Sequence, residues 1–267
     1  MTEDLPQLLP EVIALAREAG RTILEVYEKS SYAVSEKDDR SPLTEADLRS
    51  EKLILAGLRR IAPEVPVLSE ETGQVPWATR RAWSRLWIVD PLDGTREFIG
   101  RNGEFTVNIA LVQDGRAVLG VVHAPALGRT YFGCEGAGSF RSDAEAAGRP
   151  VRVAKRGPGP VRVVGSRSHR GSSLDAFLER VGAHELVEVG SSLKLCLVAE
   201  GAADVYPRLG PTCEWDTAAG QCVLEQAGGQ VVTLEGLPLS YNSRAEVLNP
   251  YFVGYADPDT DWLALLR

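Results

Sequence analysis

Two aspartates three residues apart, Asp90 and Asp93, stand in the segment Trp87-Ile-Val-Asp-Pro-Leu-Asp-Gly-Thr95. An apolar strand should end at Asp90, Pro91 imposes a bend, and Asp93-Gly94-Thr95 can open a helix. Two carboxylates then lie at a strand end beside backbone N–H groups that suit a phosphate. Hard divalent cations take oxygen ligands, and Mg²⁺ is commonly held by one or two carboxylates together with phosphate oxygens. A turn in which Asp93 only caps a helix would use the same residues. Glu70-Glu71 follows the short run Pro66 to Leu68 and by itself reads as a solvated turn before Thr72-Gly73. Trp215-Asp216-Thr217 precedes a small-residue helix, Ala218-Ala219-Gly220, where Asp216 alone would pass for an N-cap. Thr44-Glu-Ala-Asp47 fits a capping box with Asp in place of the usual Glu or Gln.

Positioning such groups requires a folded scaffold, and the chain has the material for one. Its 267 residues are 44% apolar and 25% charged, enough for one large domain or two compact halves. Leu9, Val12, Ile13, Ala16, Ile23 and Tyr27 recur with helical period between about Gln7 and Lys29. A second helix should start at Thr44 and turn Leu48, Leu55, Leu58 and Ile61 inward. Short β-rich runs follow: Val67-Leu68, Leu86 to Val89, Thr106 to Val112 and Ala117 to His123. The last two flank Asp114-Gly115, a hairpin signal. Gly157-Pro158-Gly159-Pro160 is the densest breaker cluster and divides the chain into residues 1–157 and 158–267. Beyond it strands (Val161 to Val164, Glu185 to Val189, Ala203 to Tyr206, Gln230 to Leu234) alternate with helices (Ser173 to Val181, Ser191 to Ala199, Thr217 to Ala227). This predicts an α+β first half with an antiparallel sheet, carrying most of the acidic groups, and a layered α/β second half carrying Asp216.

The balance of charge narrows the partners. There are 29 basic and 37 acidic residues, a net of −8, which argues against sequence-independent nucleic-acid binding. A phosphorylated small molecule stays compatible, because a bound cation reverses the local field. Cys134, Cys196, Cys213 and Cys222 have no paired spacing and histidines number only three, so neither a zinc site nor a disulfide framework is expected. The longest apolar stretch, Ala117 to Leu127, is too short to span a bilayer, and no basic-then-apolar leader opens the sequence. A cytoplasmic location follows as the expectation, with peripheral membrane attachment left open.

Leu68-Ser-Glu-Glu71, Trp87 to Thr95 and Trp215-Asp-Thr-Ala-Ala-Gly220, taken together and in this order, resemble the three signatures of the inositol monophosphatase superfamily. Lys37 to Thr44, Arg96 to Leu111, Gly190-Ser-Ser-Leu-Lys-Leu-Cys196 and Tyr206 to Thr212 resemble its 3′(2′),5′-bisphosphate nucleotidase branch, of the bacterial CysQ type. The resemblance implies a sugar-phosphatase-like αβαβα sandwich and hydrolysis of adenosine 3′,5′-bisphosphate to AMP and phosphate. It further implies two Mg²⁺ ions, with room for a weaker third near Glu70. Glu70, Asp90 and the carbonyl of Leu92 would hold one, and Asp90, Asp93 and Asp216 the other. Asp47 and Thr95, with Glu70, would act on a water nucleophile, and the N–H groups of Gly94 and Thr95 would hold the phosphoryl oxygens without a phosphoenzyme. Ser166, Arg167, His169, Lys194, Arg208 and Asp216 would face the nucleotide. Inositol monophosphate or fructose 1,6-bisphosphate as substrate, or a non-catalytic phospho-ligand binder, are the alternatives. The partner is a small phosphorylated nucleotide, and a homodimer is allowed.

Overall fold

A computed structural model describes residues 5–29, 34–36, 42–72, 75–167 and 172–266. Among these, the chain runs through α1 (Leu5–Tyr27), β1 (Val34–Glu36), β2 (Pro42–Thr44), α2 (Glu45–Ile61), β3 (Val67–Ser69), α3 (Trp77–Arg80), β4 (Arg85–Asp93) and α4 (Thr95–Ile99). It continues through β5 (Thr106–Gln113), β6 (Arg116–Ala124), β7 (Arg129–Cys134), β8 (Gly138–Asp143), β9 (Arg149–Pro150), β10 (Val161–Ser166), α5 (Ser172–Val181) and β11 (His184–Val189). The last elements are α6 (Leu193–Ala199), β12 (Val205–Arg208), α7 (Glu214–Gln226), β13 (Gln230–Thr233), β14 (Phe252–Tyr255) and α8 (Trp262–Leu266).

β3 to β9 form one sheet in sequence order, antiparallel except for the parallel β3–β4 pair. A second sheet has the order β11-β10-β12-β14-β13, with β11, β10 and β12 parallel and β14 antiparallel to both its neighbours. Side-chain alternation along the strands builds the layers. In β4, Trp87 and Val89 point to α1 and α2, while Leu86 and Ile88 point to α6 and α7. In the second sheet Tyr206, Val231 and Phe252 face α6 and α7, and Val205, Val232 and Val253 face Phe177 of α5 and Trp262 of α8. The result is an αβαβα sandwich whose central helix layer is packed from both sides. No helix among the described residues is long and apolar enough to cross a membrane.

Several elements are not anticipated by the sequence pattern: β1, β2, α3, α8, and the strands β7, β8, β9 and β14. The 129–150 stretch breaks its apolar runs with Gly133, Gly136 and Gly138, and β14 is a four-residue strand beginning two residues after Pro250, so neither shows a clean alternation. Expected boundaries also move, the helix expected from Ser191 beginning at Leu193. The strand expected at Ala203 to Tyr206 lies at Val205–Arg208, and the helix expected from Thr217 begins at Glu214.

Close approach fixes the central layer. Gly120 of β6 lies under α7, where an added Cβ would stand 2.4 Å from the carbonyl oxygen of Ala219, a backbone atom that cannot yield cheaply. On the other face of the sheet α1 covers His123, which is 6% exposed and bonded through Nδ1 to Thr130 Oγ1 at 2.9 Å. Burial, reinforced by Arg17, pushes the imidazole down to about 4. The unfolded chain therefore takes up this proton first as pH falls below 6.5. The stability held by the neutral ring is complete above pH 6.5 and is lost as pH falls toward 4, a contribution of about 3 kcal/mol. Melting curves from pH 7 to 4 should accordingly show a shallower loss of Tm in His123→Gln than in the parent chain.

Candidate active site

The strand carrying Asp90 and Asp93 does not stop at Asp90. β4 runs on to Asp93 through a bulge: Asp90 pairs with Asn108 and Asp93 with Thr106, so three steps on one strand oppose two on the other. In a regular strand residues three apart point to opposite faces, and the extra residue at Pro91-Leu92 resets that parity. Both carboxylates thus emerge on one side, and Pro91, which has no N–H, sits where the ladder is already broken. Asp93 is no helix cap, because the N-cap of α4 is Gly94, with φ +86° and no side-chain bond. Only glycine suits that position, since a Cβ would also lie 3.2 Å from the Glu104 carbonyl oxygen.

Asp216 is likewise not the N-cap of its helix. Cys213 occupies that place, and Asp216, in the first turn, accepts the Cys213 N–H on Oδ2 at 2.8 Å. Asn249 ties this turn down, donating from Nδ2 to the Cys213 carbonyl at 2.7 Å and to Thr217 Oγ1 at 2.9 Å. Buried Glu214 accepts the Asn242 N–H on both oxygens, and burial raises its carboxyl to about 7. So held, Asp216 brings a carboxylate oxygen within 4.8 Å of those of Asp90 and Asp93. Burial, then the negative charge of Asp93 and Glu70, pushes the Asp216 carboxyl well above the usual carboxylate range. Oxygen-only donors crowded this closely fit a hard divalent cation, which would relieve the repulsion that raises Asp216.

Glu70 stands outside that close triplet, at the end of β3, where its N–H bonds the Val89 carbonyl at 3.2 Å. Its turn is clamped by a residue the sequence reading overlooked: Glu51 Oε1 accepts from Ser69 Oγ at 2.8 Å and from Thr72 Oγ1 at 2.6 Å. Nothing in the local pattern of α2 marks Glu51, whose burial comes from the neighbouring sheet.

Asp47 lies in the first turn of α2, in the capping box read from the sequence. Its Oδ2 accepts the Thr44 N–H at 2.8 Å and the Thr44 hydroxyl at 2.6 Å, while Thr44 Oγ1 receives the Ala46 N–H at 3.2 Å. Its Oδ1 edge faces Thr95, whose Oγ1 lies 3.4 Å away, and 3.5 Å from the carbonyl oxygen of Leu92. These contacts are long for O–H···O bonds. Ser50 Oγ donates to the Pro91 carbonyl at 2.7 Å, fastening α2 to the bulge.

Beside the carboxylates opens a cleft of about 290 Å³, lined among others by Asp93, Gly94, Thr95, Ser166, Lys194 and Arg208. Lys194 is buried over the Tyr206 ring, 5.7 Å from its centroid, and donates to the Ser191 carbonyl. Burial pushes its ammonium down to about 8, against the pull of Asp93. Arg208 donates from Nη2 to the Pro211 carbonyl at 2.8 Å, and its buried Nε has no partner among the described residues. Ser166 ends β10 on the cleft wall. Arg167 is not brought into the cleft: its guanidinium is spent on Glu104, at 2.8 and 2.9 Å, and on the Glu188 carbonyl at 2.7 Å. His169 lies outside the described residues.

The inositol monophosphatase family model matches residues 4–258. The chain belongs to the inositol monophosphatase family. Among its relatives in that family is the 3′(2′),5′-bisphosphate nucleotidase CysQ of Escherichia coli (strain K12), 48% identical over 246 residues that cover 92% of this chain and 98% of that protein. The CysQ of Salmonella typhimurium (strain LT2) is 47% identical over the same span. Of solved structures, CysQ from Bacteroides thetaiotaomicron superposes with a TM-score of 0.84 at 40% identity, covering 96% of this chain and 99% of that one. An inositol monophosphatase from Thermotoga maritima, 25% identical, superposes with a TM-score of 0.79 over 96% of this chain and 94% of that one. The αβαβα sandwich is thus the family's fold.

Proposed function

We propose that this chain is a Mg²⁺-dependent phosphomonoesterase that hydrolyses adenosine 3′,5′-bisphosphate to AMP and phosphate. The observation that carries the reading is the triplet Asp90, Asp93 and Asp216. It adjoins a cleft on which Lys194 and Arg208 supply positive charge for a second phosphate. The nucleotidase relatives support the substrate class. Glu70, Asp90, the Leu92 carbonyl, Asp93 and Asp216 would hold two Mg²⁺ ions. Bound there, the metal supplies positive charge to the transferring phosphoryl group and lowers the pKa of water. Asp47 and Thr95 orient and deprotonate the attacking water. Thr95 Oγ1 can pass its own proton to Asp47 Oδ1, which the two Thr44 donors on Oδ2 hold in place. The N–H groups of Gly94 and Thr95 steady the phosphoryl oxygens. Free thiols at all four cysteines suit a cytoplasmic setting.

The test is a comparison of adenosine 3′,5′-bisphosphate, inositol 1-phosphate and fructose 1,6-bisphosphate at one Mg²⁺ concentration. The nucleotide should have the highest kcat/KM, and a preference for inositol 1-phosphate would overturn the substrate assignment. Arg208→Ala should lower kcat/KM for the bisphosphate by about 10- to 100-fold, the loss of a charged hydrogen bond, and leave adenosine 3′-monophosphate nearly unaffected. An equal loss on both substrates would remove Arg208 from the second phosphate.

A further inference from the structure

Ser191 and Ser192 lie between the two sheets, at the point where Asp93 meets Asp216. Ser191 is a non-glycine residue with φ +54°, a strained backbone that persists only where its surroundings demand it. Its Oγ lies 2.7 Å from Asp93 Oδ2 and 2.5 Å from Thr106 Oγ1. Ser192 is the N-cap of α6, yet its hydroxyl makes no cap bond. It lies 2.6 Å from Asp93 Oδ2 and 2.6 Å from the Asp216 carbonyl oxygen, and it receives Asn108 Nδ2 at 2.8 Å. Serine at an N-cap normally spends its oxygen on the helix, and here it is directed to the site instead.

Each hydroxyl has a single proton, and this orders the network. An ionised carboxylate is the strongest acceptor present. Ser191 and Ser192 therefore both donate to Asp93 Oδ2, Asn108 Nδ2 donates to Ser192, and the Thr106 hydroxyl, between Ser191 Oγ and Asn108 Oδ1 at 3.0 Å, closes the network. Thr106 and Asn108 are the very residues opposite Asp93 and Asp90 across the β4 bulge. The segment is anchored from outside as well, because Glu104 Oε2 accepts the Gly190 N–H at 2.8 Å and is itself clamped by Arg167.

We infer that Ser191 and Ser192 are positioning residues that commit the Oδ2 edge of Asp93 to the protein, fix how its carboxylate is presented to Asp90 and Asp216, and thereby set the metal affinity. The inference rests on the reading of these three aspartates as a metal site. Outer partners of this kind are worth about 10- to 100-fold in metal affinity.

The test is calorimetric titration of Mg²⁺ into the parent chain and the variants Ser192→Ala, Ser192→Thr, Ser191→Gly and Asp93→Asn, with melting of the metal-free forms alongside. Ser192→Ala and Ser191→Gly should each raise the Mg²⁺ Kd by about 10- to 100-fold. Ser192→Thr, which keeps the hydroxyl, should restore it. Ser191→Gly separates positioning from general stability, because glycine relieves the positive φ, so metal-free Tm should hold while affinity falls. Unchanged affinity in both serine variants, with Asp93→Asn losing it, would overturn the inference alone. So would affinity that merely tracks Tm across the series. Unchanged affinity in Asp93→Asn would instead bring down the metal-site reading, and the inference with it.

Discussion

Replacing Asp90 by Asn should lower kcat on adenosine 3′,5′-bisphosphate by on the order of 10³-fold even at saturating Mg²⁺, about 4 kcal/mol of transition-state stabilisation. Asp90 is 1% exposed, and its Oδ1 accepts the Leu92 N–H at 3.1 Å, so the carboxylate is held by the bulge that also sets Asp93. The change is isosteric, and it removes negative charge from a group whose members repel one another. Metal-free Asp90→Asn should therefore melt no lower than the parent chain. Adding Mg²⁺ should raise the parent Tm, since at 100 Kd a ligand contributes about 2.7 kcal/mol, and should leave the variant unmoved. Near-normal turnover in Asp90→Asn would remove this residue from the metal site.

Asp47→Asn should act differently. A general base in position contributes about 10²- to 10⁴-fold, and a loss of 10²-fold or more in kcat is expected while the Mg²⁺ Kd stays within a few-fold of the parent value. The separation follows from the geometry. Asp47 lies in α2, is not one of the three crowded carboxylates, and faces the Thr95 hydroxyl. Asn keeps one acceptor oxygen for the cap, so the stability cost should stay near or below the ~1 kcal/mol typical of a lost cap. Kinetics across a Mg²⁺ titration distinguish the two roles. A fall in activity that excess metal restores would make Asp47 a metal residue and not a proton acceptor.

What could be read along the chain was what repeats locally. α1 follows from apolar positions at helical spacing, the β5–β6 hairpin from Asp114-Gly115, and the carboxylates from ordered acidic motifs, whereas in α2 Leu48, expected to point inward, is exposed and the buried face runs through Ala46, Asp47, Ser50, Ile54 and Leu58. The parity reset between Asp90 and Asp93 depends on strand pairing, and a strand's own sequence does not announce a bulge. Asp216 looked like a cap because an acidic residue near a helix start fits either place, and three-dimensional anchoring by Asn249 and Cys213 decides between them. Arg167 was expected to face the nucleotide only because the family resemblance implies it. Its partner, Glu104, lies 63 residues earlier, beyond any local window. Glu51, Thr106 and Asn108 illustrate the same limit, since the hydroxyls of Ser69, Ser191 and Ser192 that they meet arrive from other parts of the chain.

The helix bearing Asp216 is packed between two sheets, and the later sheet is closed by strands that follow it in the chain. β14, emerging after α7, inserts between β12 and β13 and contributes Phe252 to the shared core. During synthesis the first three acidic positions are therefore in hand long before the fourth can be seated. A chain ending before β14 would carry all four carboxylates but lack the strand that joins β12 to β13 and the Phe252 side chain in the shared core.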